Sequence, residues 1–173
     1  MEKIFYADKS AFTTEAALKR IFSVCYGRHS VDILRTDNGK PYVENGPFFS
    51  VTHTKNRLYI AFSNEEIGLD AESLARAPYY ETIVKKFSTA EQAEIDCAET
   101  FLMHWVVKES AVKYMGGTLA LDLYKLEYAN GRLSYDHAPL STKITLLTHD
   151  EFILSICGNG EFSHAEFTAL ETL

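Results

Sequence analysis

Apolar positions recur along the chain with two different periods. Residues 3–7 read as a short strand, and residues 16–26 as an amphipathic helix that starts at Thr13-Thr14-Glu15 and is ended by Gly27. Residues 31–35 read as a strand, Asp37-Asn38-Gly39 as a turn, and residues 40–43 as extended chain, because Pro41 fixes its own φ and turns Lys40 away from helix. Residues 48–54 and 58–63 are rich in aromatic and β-branched side chains, and residues 67–72 alternate with period two, which predicts a three-strand antiparallel run. Ser88-Thr89-Ala90-Glu91 has the form of a capping box opening a helix, and residues 100–115 predict a longer helix closed by Gly116-Gly117. Residues 126–128, 143–147 and 152–157 read as sheet, separated by Asn-Gly and Gly-Asn-Gly turns. A helix followed by strands thus occurs twice, so the expected fold class is α+β, with two similar lobes related by a pseudo-twofold axis.

The length of 173 residues suits one domain, here divided as residues 1–63 and 64–173. A formal charge of −7, from 24 acidic and 17 basic side chains, argues against broad binding to nucleic acid or to an anionic membrane surface, since both need a basic field. Cys25, Cys97 and Cys157 are far apart and form no CxxC pair, which fits reduced thiols. The amino terminus shows no apolar signal core, and no stretch approaches the ~18 apolar residues of a membrane span, so a soluble, cytoplasmic protein is expected.

Candidate chemistry lies on two elements. On an extended chain Ile67, Leu69 and Ala71 point to one side, while Gly68, Asp70 and Glu72 point to the other and set two carboxylates next to each other. A solvated outer face is the plain reading of that pair; a divalent metal site is the sharper one. In the long helix, Leu102, Trp105, Val106, Glu109, Val112 and Lys113 fall on one stripe, so Glu109 and Lys113 should point inward. Lys108 and His104 lie off that stripe and suit a surface pairing. If Glu109 faces Asp70 and Glu72, three carboxylates need a cation or proton uptake, and oxygen-only ligands favour Mg²⁺. Lys113 beside such an ion suits a substrate phosphate, and Lys40, Thr52 and His53 could bind further phosphate oxygens, which makes phosphoryl transfer the reaction class. There is no Walker loop, GxGxxG, HExxH or GxSxG sequence.

The same residues resemble a 4′-phosphopantetheinyl transferase of the surfactin-synthetase-activating type. Gly39-Lys40-Pro41 with Phe49-Ser50-Val51-Thr52-His53-Thr54 is similar to the family's GKP and F-N-x-S-H-S blocks, with Ser50, Thr52 and Thr54 in place of Asn, Ser and Ser. Ile67-Gly68-Leu69-Asp70-Ala71-Glu72 resembles I-G-I-D-x-E, Phe87-Ser88-Thr89-Ala90-Glu91 resembles F-S-x-x-E, and the segment from Trp105 through Lys108-Glu109-Ser110 to Lys113 resembles W-x-x-K-E-S-x-x-K. The resemblance spans roughly residues 12–135 in the family's order. It implies transfer of coenzyme A's phosphopantetheine arm to a serine of an acyl or peptidyl carrier protein, as a holo-[acyl-carrier-protein] synthase does, with release of adenosine 3′,5′-bisphosphate. It also implies Mg²⁺ on Asp70, Glu72 and Glu109, Lys113 on the transferred phosphate, and Lys40, Thr52 and His53 on coenzyme A, with His53 meeting the 3′-phosphate. Either Glu109 or a metal-bound water would take the serine proton.

Family members of this type are usually longer, and the segment before their first helix is mostly missing here, with Lys9 as a partial substitute. An acidic carrier would need a local basic patch, for which Arg76, Lys85 and Lys86 are candidates. A monomer is expected, with pairing to a second chain as the alternative. Two other functions compete: a protein of the same fold that binds coenzyme A or a carrier without turnover, and a Mg²⁺-dependent phosphohydrolase acting on a nucleotide.

Overall fold

The computed structural model describes residues 2–75 and 80–173. Thr13 caps the first helix by accepting the Ala16 N–H with its side chain, and Gly27, at φ 65°, stops it in the left-handed conformation that glycine adopts without steric cost. The chain runs β1 (Lys3–Asp8), α1 (Thr14–Tyr26), β2 (Leu34–Arg35), β3 (Pro41–Tyr42), β4 (Phe48–Thr54), β5 (Arg57–Ser63), β6 (Ile67–Ser73) and α2 (Tyr80–Val84). It continues through α3 (Thr89–Glu94), α4 (Ala98–Met115), α5 (Leu119–Asp122), β7 (Leu126–Ala129), β8 (Arg132–Tyr135), β9 (Ala138–Pro139), β10 (Ile144–His149), β11 (Phe152–Gly158) and β12 (Phe167–Ala169). This is a mixed α+β fold. The sheets have the strand orders β12-β1-β5-β4, β10-β11-β6 and β7-β8-β9, with β2 and β3 forming a separate short hairpin.

The expected three-strand run is corrected in one respect. β4 and β5 pair antiparallel from Phe48↔Ser63 to Thr54↔Arg57, but β6 leaves β5 and pairs along its whole length with β11, from Ile67↔Gly158 to Ser73↔Phe152. The reason is that β6 is covered on both faces. Ile67, Leu69 and Ala71 pack with Ile4, Tyr59, Phe152, Leu154 and Ile156, and α4 lies over the other face, against Gly68. Alternation reports which way side chains point, not which strand is the neighbour. The four-stranded sheet and the β10-β11-β6 sheet therefore meet where β4 comes alongside β6, with side chains rather than a backbone ladder joining them.

A second correction concerns α4. Its buried residues include His104 and Lys108 as well as Phe101, Leu102, Val106, Val107, Ser110, Ala111 and Val112, so it is enclosed on more than one side. Lys108, only 1% exposed, donates to both oxygens of Glu91 at 2.9 and 3.1 Å and lies 4.0 Å above the Phe87 ring. His104 sits with Nδ1 2.8 Å from the Thr100 carbonyl and Nε2 3.2 Å from Glu94. Glu91 and Glu94 come from α3, so helical periodicity within α4 cannot reveal them.

β12 returns to the first sheet and runs parallel to β1, in register Ile4↔Phe167. Among the described residues no helix is long and apolar enough to cross a membrane.

Candidate functional site

Gly68 determines how close α4 comes to β6. A Cβ at this position would lie 1.9 Å from the Ser110 carbonyl oxygen and 2.4 Å from the Tyr114 nitrogen. The helix backbone therefore rests directly on the strand, and the next residue of the same strand face, Asp70, comes within reach of Lys113. Lys113 Nζ donates to Asp70 Oδ1 at 2.7 Å and to the Leu69 carbonyl at 2.9 Å. Asp70 is 3% exposed. Glu109 lies one turn before Lys113 on α4 and is half-buried.

β4 supplies the other side of the site. Its alternation sends Ser50, Thr52 and Thr54 toward β6, and each finds a partner there. Ser50 Oγ accepts the Leu69 N–H at 2.9 Å, Thr52 Oγ1 donates to Asp70 Oδ1 at 2.8 Å, and Thr54 Oγ1 donates to Glu72 Oε2 at 3.2 Å. Thr52, expected on coenzyme A, thus has its hydroxyl on the strand acid. His53 points the opposite way and lines a cleft of about 300 Å³ together with Thr14, Arg35, Asn38, Lys40 and Lys113. His53 Nε2 is 2.8 Å from Thr14 Oγ1. Burial, reinforced by the charges of Lys9 and Lys113, holds its imidazole below the ordinary 6.5.

Lys40 also lines this cleft, but its ammonium is engaged. It donates to Glu66, to the Ile67 carbonyl at 2.8 Å and to the Lys113 carbonyl at 2.9 Å, so all three of its N–H bonds are directed. It fastens the turn after β2 to β6 and α4, and Asn38 does the same by donating to the Gly116 carbonyl at 2.7 Å. A second groove of about 620 Å³ continues past Arg35, Lys40 and Pro41 toward Tyr42 and Phe48. Arg35, Thr14 and Asn38 were not singled out from the sequence. Arg35 stands at the foot of the turn that carries Lys40, and that adjacency is the one signal that could have drawn attention to it.

Of the residues expected to bind a metal, Asp70 gives the clearest structural sign. Its Oδ2 is buried and has no hydrogen-bond partner, whereas Oδ1 takes both Thr52 and Lys113. A buried carboxylate oxygen without a donor is the kind of atom that an oxygen-ligated cation satisfies, and on that observation Asp70 fits a divalent ion. Among the described residues, no three acidic, histidine or cysteine side chains are grouped so as to hold a metal. The positive charge that Asp70 meets is that of Lys113.

Of the basic residues proposed for a partner surface, Lys85 and Lys86 are exposed beyond α2. Arg76 lies outside the described residues.

A family model described as the 4′-phosphopantetheinyl transferase superfamily matches residues 66–168. The match covers more than half of the chain, from the start of β6 through α4 to β12, and the chain belongs to this superfamily. The blocks at residues 39–41 and 49–54 lie ahead of the matched region. No curated protein matches the chain.

Proposed function

We propose that this protein transfers the 4′-phosphopantetheine arm of coenzyme A to a serine of an acyl or peptidyl carrier protein, with magnesium, releasing adenosine 3′,5′-bisphosphate. In this reading it is a holo-[acyl-carrier-protein] synthase of the surfactin-synthetase-activating type, with residues 1–63 as a first lobe and residues 64–173 as the lobe that carries the metal site. The observation that carries the reading is Asp70. It is buried, has one oxygen fixed by Thr52 and by Lys113, which lines the cleft, and leaves the other without a donor.

A magnesium ion on Asp70, with Glu72 and Glu109 as further carboxylates, would neutralise charge on the pyrophosphate. Lys113, which lines the cleft, would offer the remaining N–H of its ammonium to the transferred phosphate. Arg35 and Lys40 supply positive charge for the nucleotide end, His53 gains it when a phosphate binds, and a phosphate that engaged Lys40 would take the place of Glu66. The serine oxygen attacks the β-phosphorus, and the bond from that phosphorus to the bridging oxygen breaks. Adenosine 3′,5′-bisphosphate leaves with the electron pair, and either Glu109 or a water takes the serine proton. Exposed Lys85 and Lys86 would meet an acidic carrier.

Incubation with apo carrier protein, coenzyme A and magnesium should give a phosphopantetheine adduct by mass spectrometry. Asp70→Ala and Glu109→Ala should each slow its formation by about 100-fold or more. Equal labelling by all three proteins would remove the site assignment. Tight coenzyme A binding without an adduct would instead favour a non-catalytic binder, and release of phosphate from a nucleotide would favour a hydrolase. A panel of carriers from fatty-acid, polyketide and nonribosomal-peptide synthesis would then identify the acceptor.

His53 gives a pH dependence. The free imidazole is held below 6.5, so it is neutral at pH 7, and a bound 3′-phosphate favours its charged form. Binding therefore takes up a proton, and affinity for coenzyme A should rise as the pH is lowered from 8 to 7, above the range near 6 where a phosphate monoester itself titrates. His53→Gln, or use of 3′-dephospho-coenzyme A, should flatten that slope in a calorimetric titration. A slope unchanged by both would place the 3′-phosphate elsewhere.

A further inference from the structure

The three inward side chains of β4 make one repeated contact. At every second residue a hydroxyl meets β6: Ser50 at the Leu69 N–H, Thr52 at the Asp70 carboxylate and Thr54 at the Glu72 carboxylate. All three hydroxyl residues are buried. β4 and β6 belong to different sheets, so no backbone ladder sets their relative position. At this seam the hydroxyls do so instead, and two of the three act on carboxylates assigned to the site. Thr52 and Lys113 converge on the same oxygen of Asp70, which leaves Oδ2 as the carboxylate's unpartnered atom.

We infer that Thr52 and Thr54 are positioning residues that fix the carboxylates of Asp70 and Glu72 from the neighbouring sheet, and that Thr52 acts through Asp70 rather than on coenzyme A. The inference rests on the proposed role of these acids. Its chemistry is that of an outer shell: a hydroxyl donating to one carboxylate oxygen restrains the side chain's rotation and orients the remaining lone pairs. Loss of such a partner typically costs about 10–100-fold in metal affinity or activity. A direct contact with coenzyme A would instead appear in KM.

The test uses the full chain with Thr52→Val, Thr52→Ser and Thr54→Val. Magnesium affinity is measured by calorimetry without coenzyme A, KM for coenzyme A and kcat are measured with apo carrier, and thermal unfolding is followed for each protein. Thr52→Val should lower magnesium affinity and kcat by about tenfold or more while KM stays within about twofold, and Thr52→Ser, which keeps the donor, should restore both. Thr54→Val, which removes the longer bond, should show the same pattern more weakly and provides the test if Thr52→Val fails to fold. A raised KM at unchanged kcat and magnesium affinity would overturn the inference, as would variants altered only in their unfolding midpoint. Failure of the underlying reading is distinguishable, because it would appear as wild-type protein that binds no magnesium or as Asp70→Asn with undiminished transfer.

Discussion

Gly68→Ala is expected to be among the most damaging single-methyl additions in the protein. The added carbon would sit 1.9 Å from the Ser110 carbonyl oxygen and 2.4 Å from the Tyr114 nitrogen, both of them backbone atoms of a regular helix. No side chain can rotate away, so α4 has to move off β6. Overpacking of this kind costs typically about 1–3 kcal/mol and occasionally more, and a backbone-on-backbone clash belongs at the upper end. For a chain of this size each kcal/mol lowers the unfolding midpoint by about 2–4 °C, so a drop of roughly 10 °C is expected. The same displacement carries Lys113 away from Asp70, and misplacement by about 1 Å can cost on the order of 100-fold in rate. Folded Gly68→Ala should therefore also be nearly inactive. A variant with the wild-type midpoint and rate would contradict this packing.

Glu91→Ala should destabilise the fold further than Lys108→Met. Glu91 is fully buried, and besides Lys108 it accepts the Tyr128 N–H at 3.1 Å and the Ser88 N–H at 2.9 Å. Its removal strands a buried ammonium and two backbone donors at once. Burial already pulls the Lys108 ammonium below its ordinary 10.5, with Glu91 opposing that pull, so little else stabilises the charge. Breaking a buried pair in this way costs about 3–5 kcal/mol. Lys108→Met leaves Glu91 with its two backbone donors and should cost less. Equilibrium unfolding in urea checks the order, and Lys108→Met as the more damaging of the two would reverse the assignment. Because α4 also carries Glu109, both variants should lose activity before they lose secondary structure.

Much of the fold was legible because its signals are local. The capping box at Ser88 and Glu91 forms as read, and Gly116 ends α4 in the left-handed conformation at φ 66°. Asn130-Gly131, both with positive φ, turns β7 into β8 as an Asn-Gly pair should. The next hairpin uses Asp136 and His137 at φ 48° and 67°, and without glycine it left no mark to read. At the site, period two correctly set Ile67, Leu69 and Ala71 on the core side of β6. It could not say that the opposite face is also buried, nor that β11 rather than β5 is its partner, since both depend on distant segments. Lys108 escaped for the same reason: its partner lies on another helix, and a lysine between two valines on one side and Glu109 on the other looks solvated until that helix is placed. The residue type of Thr52 and the block it belongs to suggest a phosphate contact, but that its hydroxyl turns to Asp70 depends on which sheet stands opposite.

The pairing of β1 with β12 has a consequence for how the molecule is made. Ile4, Phe5 and Tyr6 stand beside Phe167, Thr168 and Ala169, so segments 163 residues apart in the sequence are neighbours in one sheet. Contacts of such long sequence separation are slow to form. Until β12 docks, β1 must therefore wait with an open strand edge, and the folding chain should be most prone to aggregate during that interval.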